Sequence, residues 1–133
     1  MKIEEVEGIG PAHGEKLRAA GVHTTEHMLA RAATTKGREE LAATTGISHA
    51  HILKWTNHVD LMRINGVGSE YADLLEAAGV DSPAELGHRN AANLTAAMVA
   101  YNAEHKIVRR EPSEKEVTGW IAESKTLPKV VEH

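Results

Sequence analysis

The chain contains no cysteine. Disulfides, thiolate metal sites and cysteine nucleophiles are thereby excluded, and the composition fits a reducing compartment, so a cytoplasmic location is expected. Phenylalanine is absent too, and the aromatic residues are Trp55, Trp120, Tyr71 and Tyr101. A sheet built on aromatic and β-branched side chains is a poor fit, whereas abundant alanine suits close-packed helices. There is no excess of positive charge: 15 Lys and Arg stand against 19 Asp and Glu, a formal net charge of −4. The molecule as a whole has no electrostatic pull toward nucleic acid or an anionic membrane, and any such affinity must come from a local patch. No apolar run approaches the roughly 18 residues that span a bilayer, and the opening MKIEEVEG lacks the apolar stretch of a secretion signal, so no membrane partner is expected. At 133 residues the chain is the size of one ordinary domain, or of two small units sharing a core.

What is present is a repeat. Val6–Val22 aligns with Ile64–Val80 without a gap, and Gly8, Gly10, Leu17, Ala19, Ala20, Gly21 and Val22 each meet an identical residue. SHAHILKW from Ser48 and SEKEVTGW from Ser113 share a serine, an aliphatic residue four positions on and a tryptophan three beyond it. The ungapped match points to duplication of a whole unit.

Each unit reads as short helices. Pro11 suits a first helical turn, where an N–H would lack a partner anyway, and Gly21 and Gly79 fit helix ends where φ turns positive. Thr24 or Thr25, Ser82 before Pro83, and Asn90 are N-cap residues, and Ser113 with Glu116 forms a capping box. Ile52, Trp55, Val59 and Met62 recur at spacings of three and four, which predicts one buried face on a helix over Ser48 to Met62. KIVRREPSE from Lys106 reads as an interior loop, and TLPKVVEH from Thr126 has no pattern and is expected to fray.

The order apolar, polar, Gly, apolar, Gly, followed by a helix ending in AAGV, resembles the helix-hairpin-helix motif, and LAATTGISHAHILKW resembles the second hairpin with which such motifs pair. The pairing is similar to the tandem helix-hairpin-helix domains of recombinases, repair polymerases and nucleases, and elongation factors. Up to about Leu127 the chain also resembles an uncharacterised bacterial family, a domain of unknown function built from such motifs. The resemblance implies that hairpin amides face a phosphate of DNA, usually without reading sequence. Glycine lets an oxygen approach the backbone closely, and the following helix start carries partial positive charge. The donors it implies are Gly8, Ile9 and Gly10; Gly46, Ile47 and Ser48; and Gly66, Val67 and Gly68. The fourth hairpin departs from the pattern. Arg110, Glu111 and Pro112 stand where the TGIS glycine belongs, and Pro112 has no N–H, so a phosphate there would rely on Arg109 and Arg110.

Charge opposes this reading at the hairpins themselves. Glu4, Glu5 and Glu7 precede the first, and Glu70, Asp73 and Glu76 follow the third, although Arg63 lies before it. Neutralising phosphates with Lys and Arg supplies essentially all non-specific affinity, so amides alone bind weakly. Basic ground lies elsewhere, from Arg31 to Arg63, which includes Lys54, and from Lys106 to Lys115. Glycine also serves a tight turn between packed helices with no ligand at all, and both readings stay open here.

Sharper motifs fail on context. Gly8-Ile-Gly10-Pro-Ala-His-Gly14 misses the G-x-G-x-x-G spacing and has no strand before it. HTTEH, His23 to His27, matches the H-x-x-E-H zinc-peptidase pattern but straddles the cap at Thr24 or Thr25, which puts His23 outside the helix. His49 and His51 point to different sides of a helix start, and Trp55 and Trp120 occupy core positions rather than base-stacking ones. No nucleophile triad is visible.

The expectation is therefore an all-α fold: two tandem helix-hairpin-helix units packed as one compact duplicated domain, with residues 1–62 and 63–127 as the units and 128–133 as a tail. The expected function is non-enzymatic, with no cofactor and no metal. It is a weak, sequence-independent contact with nucleic-acid backbone, or an assembly role with a protein partner in which the hairpins are purely structural.

Overall fold

The computed structural model describes residues 1–133 and is helical throughout. Its eight α-helices are α1 (Gly10–Ala19), α2 (Thr25–Arg31), α3 (Thr35–Thr45), α4 (His49–Leu61), α5 (Ser69–Ala77), α6 (Pro83–Gly87), α7 (Ala91–His105) and α8 (Glu114–Ser124). There is no strand, only an isolated antiparallel bridge between Lys2 and Thr24. The chain divides into two compact units, one of Met1–Asp60 with Lys129–His133 and one of Leu61–Pro128.

In the first unit a 3₁₀ turn, Ile3–Glu5, is held on α1 by the fork of Arg18 on the Glu4 carboxylate, whose Nε to Oε2 distance is 2.5 Å. The chain then turns at Gly8, φ +88°, and drops Ile9 into the core at 2% exposure before α1 begins. The left-handed region disfavours a Cβ, and a Cβ built on Gly8 would lie 3.5 Å from the Trp55 indole Nε1. Helix α1 ends at Gly21, φ +91°, with the Gly21 N–H on Arg18 O and the Val22 N–H on Leu17 O, which satisfies two carbonyls the helix leaves unpaired. Arg31 closes the corner by donating from Nη1 to Ala20 O at 2.8 Å. Thr24 caps α2 and Thr34 caps α3, each accepting a backbone N–H three residues on. The core gathers Ile3, Leu17, Val22, Met28, Leu41, Ile52 and Trp55. Burying one such aliphatic side chain contributes roughly 1.5–3 kcal/mol.

The second unit contains the same local contacts. Gly66 has φ +88°, Val67 is 4% exposed, and a Cβ on Gly66 would lie 3.2 Å from the Trp120 Nε1. Gly79, φ +95°, ends α5 with bonds from Gly79 N–H to Glu76 O and Val80 N–H to Leu75 O. Arg89 donates from Nη2 to Ala78 O at 3.2 Å. Ser82, Asn90 and Ser113 cap α6, α7 and α8 as their sequence positions predict, and Ser113 with Glu116 completes the capping box.

Two features go beyond the sequence reading, and one expectation is corrected. Helix α3 has a cap and eleven residues but is not marked out by the sequence patterns above. Gly68 is not in the left-handed region: its φ of −89° and ψ of −172° are those of an N-cap, whereas Gly10 has φ +62°. The end of the chain does not fray, because Val131 is 1% exposed and the Glu132 N–H donates to Ala33 O at 2.7 Å.

Glycines of the same turn should therefore differ in cost. Gly8→Ala and Gly66→Ala should each lower stability by about 1–2 kcal/mol, read as a lower urea midpoint at unchanged m value. Gly68→Ser should keep or raise the midpoint, since serine at an N-cap accepts a backbone N–H that glycine cannot.

Candidate nucleic-acid interface

Of the backbone donors implied by the hairpins, several are already spent inside the protein. The Ile9 N–H donates to Val6 O and the Val67 N–H to Ile64 O, both at 3.1 Å, because the buried middle residue of each turn must satisfy its own amide. The Gly46 N–H ends α3 on Ala42 O at 2.9 Å, and the Ile47 N–H reaches Thr45 Oγ1 at 3.2 Å. Ser48 is the N-cap of α4, its hydroxyl accepting the His51 N–H at 3.2 Å. The amides of Gly8, Gly10, Ser48, Gly66 and Gly68 remain as candidate donors. Nothing lies within 4 Å of a Cβ built on Gly10, Gly46 or Gly68, so the backbone is open to approach at these three. Next to Gly66, the Asn65 N–H is taken by the Glu123 carboxylate, 3.2 and 3.1 Å from its two oxygens.

The candidate cations are also largely engaged. Arg63 turns back to donate to Pro128 O at 2.8 Å, and Lys54 sits exposed on α4 before the buried Trp55. Arg110 forks onto Glu116 with both nitrogen to oxygen distances at 2.8 Å. Arg109 is exposed.

The loop carrying these arginines is more ordered than its sequence announces. Helix α7 stops at Lys106, the one non-glycine residue at positive φ (51°), whose N–H donates to Asn102 O as Gly46 does to Ala42 O. The αL helix end thus falls on Lys106, not on Arg110 to Pro112, and buried Pro112 fills the place before the Ser113 cap that Ile47 fills before Ser48. Buried Asn102 clamps the loop, donating from Nδ2 to Val108 O at 3.1 Å and accepting the Val108 N–H at 2.8 Å. Tyr71, in the first turn of α5, donates its hydroxyl to Arg110 O at 2.8 Å while its ring rests on Trp120, 5.2 Å between centroids. The start of α5 and the basic loop are thereby brought together. Between Glu70 on α5 and Lys106 and Arg109 on the loop lies an open hollow of about 610 Å³. Asn102 and Tyr71 were not among the sequence candidates; Asn102 shares α7 with the polar residues Asn93 and Thr95, and nothing in the sequence marks it out from them.

The remaining motifs find structural places. Trp55 and Trp120 are 2% and 4% exposed, so their faces are not offered to bases. His51 stacks on Trp55 with rings 14° from parallel, and His13 tilts against it, 5.1 Å between centroids. In HTTEH the cap falls on Thr24, whose hydroxyl accepts the His27 N–H at 3.1 Å, and His27 Nδ1 accepts the His23 N–H at 3.2 Å. No group of three or more His, Asp or Glu side chains is placed to hold a metal ion. No helix is long and apolar enough to cross a membrane.

Two ion pairs set the local titration, Arg110–Glu116, which is exposed, and Arg18–Glu4, which is part-buried. The Arg110 guanidinium and the Ser113 backbone hold Glu116 down from 4.5 to about 2, and Arg110 itself is pushed up by Glu116. Arg18 holds Glu4 down to about 2 in the same way. Both carboxylates lose protons more readily folded than unfolded, so their contribution is complete above the ordinary carboxylate value and is lost as pH falls through the folded one. The urea midpoint should drop between pH 4.5 and about 2, and Glu116→Gln should flatten that limb. A midpoint whose pH dependence is the same with and without Glu116 would show that the Arg110 fork adds nothing to folding.

No curated protein and no solved structure matches the chain. A family model described as "Domain of unknown function (DUF4332)" matches residues 7–127, nearly the whole chain, and the protein belongs to that family.

Proposed function

We propose that the protein is a cytoplasmic, non-enzymatic module of two tandem helix-hairpin-helix units that contacts the backbone of nucleic acid, DNA in the first instance, weakly and without reading sequence. The paired contacts support the tandem reading: Gly8 with Trp55 and Gly66 with Trp120, Arg31 on Ala20 O and Arg89 on Ala78 O. These are long-range, specific and found once in each unit, which fits a duplicated scaffold.

One observation carries the nucleic-acid reading. Gly68 opens α5 at an ordinary φ with empty space over it, so neither conformation nor packing calls for glycine there. A close approach from outside is what a missing side chain permits. The hollow beside the same helix start is bordered by Lys106 and Arg109, both exposed. Arg110 is a poorer phosphate ligand, its fork being filled by Glu116. Glu70 at the hollow and the net charge of −4 keep the affinity low.

A second reading has its own observation. Helix α7 carries no charged residue from Ala91 to Ala103, and Ala92, Ala96, Val99, Ala100 and Ala103 are all exposed, Val99 at 38%. An uncharged helix face of this kind favours an assembly adaptor whose hairpins only shape the fold.

Fluorescence anisotropy of labelled single- and double-stranded DNA across a salt series separates the two. The nucleic-acid reading expects dissociation constants of about 10⁻⁴ to 10⁻⁶ M at physiological salt, weakening steeply as salt rises. Joint replacement of Lys106 and Arg109 by Ala should reduce the salt slope by up to about two, one per phosphate contact, while Arg110→Ala should change it less. Gly68→Val should weaken binding with helical circular dichroism intact, because the backbone there accepts a β-branched residue and only the approach is blocked. If no DNA or RNA binds in a salt-dependent way at low ionic strength, the adaptor reading stands in its place.

A further inference from the structure

The hollow beside the basic loop offers more than a phosphate track requires. Its volume of about 610 Å³ falls within the roughly 300–1,000 Å³ of small-molecule sites. Lys106 and Arg109 border it, Ala103, Ile107 and Val108 give it an apolar lining, and Glu70, exposed in the first turn of α5, lines it as well. A strand running along the two cations leaves those apolar groups uncovered and is repelled by the Glu70 carboxylate. Backbone contact alone therefore leaves part of the lining without a role.

The hollow is also formed in advance. The Lys106 N–H is fixed on Asn102 O at 2.8 Å, and Asn102, 7% exposed, holds Val108 by donating to its carbonyl and accepting its N–H. Asn102, Lys106 and Val108 are thus in place before any ligand arrives, and binding costs correspondingly little ordering.

Each part of the lining selects a part of the ligand. Two cations select an anion, an apolar wall selects an apolar or flat body, and a carboxylate, which only accepts, selects N–H donors. A nucleotide carries all three in one unit, and its base must be unpaired for the Watson–Crick edge to be free. Guanine sets two N–H donors side by side on that edge, one for each carboxylate oxygen. Uracil and thymine flank a single N–H with two carbonyls that a carboxylate repels. We infer that the hollow takes one unpaired nucleotide, its phosphate on Lys106 and Arg109, its base over Ala103 and Ile107 and its donor edge on Glu70, with guanine preferred over uracil and thymine. The inference rests on the nucleic-acid reading, in which that nucleotide is an unpaired residue of a strand, and it makes one base the exception to a contact that otherwise ignores sequence.

The test titrates the full chain with GMP, UMP and inorganic phosphate while backbone amide shifts are followed by NMR. A single-stranded oligonucleotide and a closed dumbbell duplex are titrated in parallel at equal salt. GMP should shift the amides of residues 103–109 and bind about tenfold or more tightly than UMP, as a hydrogen bond to a charged group implies. Glu70→Gln, whose amide donates as well as accepts, should bring GMP and UMP to within about twofold of each other with helical circular dichroism unchanged. The single strand should bind more tightly than the dumbbell, and GMP should compete with it. GMP binding no tighter than inorganic phosphate or UMP, or a difference that Glu70→Gln leaves unmoved, would overturn the base contact. Salt-dependent binding of the dumbbell with no binding of GMP would overturn this inference and leave the backbone reading intact. GMP binding with neither DNA bound would identify the ligand as a free nucleotide and remove the backbone reading instead.

Discussion

The structure depends on a backbone turn that only glycine makes without strain, set under an indole. At Gly8 and at Gly66 the chain passes through φ +88° beneath the edge of Trp55 and of Trp120. Two consequences follow from that single reversal. The next residue, Ile9 or Val67, points inward and is buried, and its amide is returned to the carbonyl three residues before it. A helix starts one or two residues later, with its apolar Leu17 or Leu75 already facing the core. A Cβ at Gly66 would lie tight against Trp120 at 3.2 Å, whereas at Gly8 it would make an ordinary contact with Trp55 at 3.5 Å, so the cost common to both is the left-handed φ. The corner after each helix repeats the logic, with Gly21 and Gly79 at φ +91° and +95° and closed from outside by Arg31 and Arg89.

What the sequence made legible was chemistry that acts within a few residues. Caps at Thr24, Ser82, Asn90 and Ser113, and the left-handed glycines at 21 and 79, each need only a neighbouring amide or carbonyl. Dihedral angles were less legible: Gly10 and Gly68 occupy matching places in matching sequences, yet one has φ +62° and the other −89°. The helix end at Lys106 carried no glycine to mark it, because Asn102 stabilises the turn from within the helix through Val108. Contacts across long separations were invisible. Nothing near Arg38 in the sequence announces that its guanidinium is buried against Glu132. The candidate site was read as a set of donors, whereas its character comes from which donors the fold has already used.

That distinction changes how the charges should be weighed. A net charge of −4 does not by itself forbid anion binding, since a hollow edged by Lys106 and Arg109 as well as Glu70 is a local environment. Counting basic residues in a loop overstates it in the other direction. Arg110 contributes little outward field, because the carboxylate of Glu116 lies against it at 2.8 Å and stays ionised down to about pH 2. Its work is to steady the loop from one side while Tyr71 holds the Arg110 carbonyl from the other. The cations left to act outward are Lys106 and Arg109, on the side of the loop that Asn102 fixes.

On the tandem reading, the two units keep one scaffold and differ at its edge. In the first, three residues, Gly46 to Ser48, join α3 to α4, and the indole is flanked by His13 and His51. In the second, the connection between α7 and α8 is longer, and Tyr71 and Glu116 both turn to hold it. A longer connection costs little entropy if its ends are already fixed by the helices it joins. It needs buried anchors to be ordered, and Val108 and Pro112 supply two where Ile47 alone supplies one. The ordering matters for binding because an ordered loop presents its cations without first losing conformational freedom. The same glycine turn therefore leads to a short polar edge in one unit and to a braced basic edge in the other. The fold can hold the turn constant while the connection opposite it changes, because the tryptophan between them is fixed from both sides.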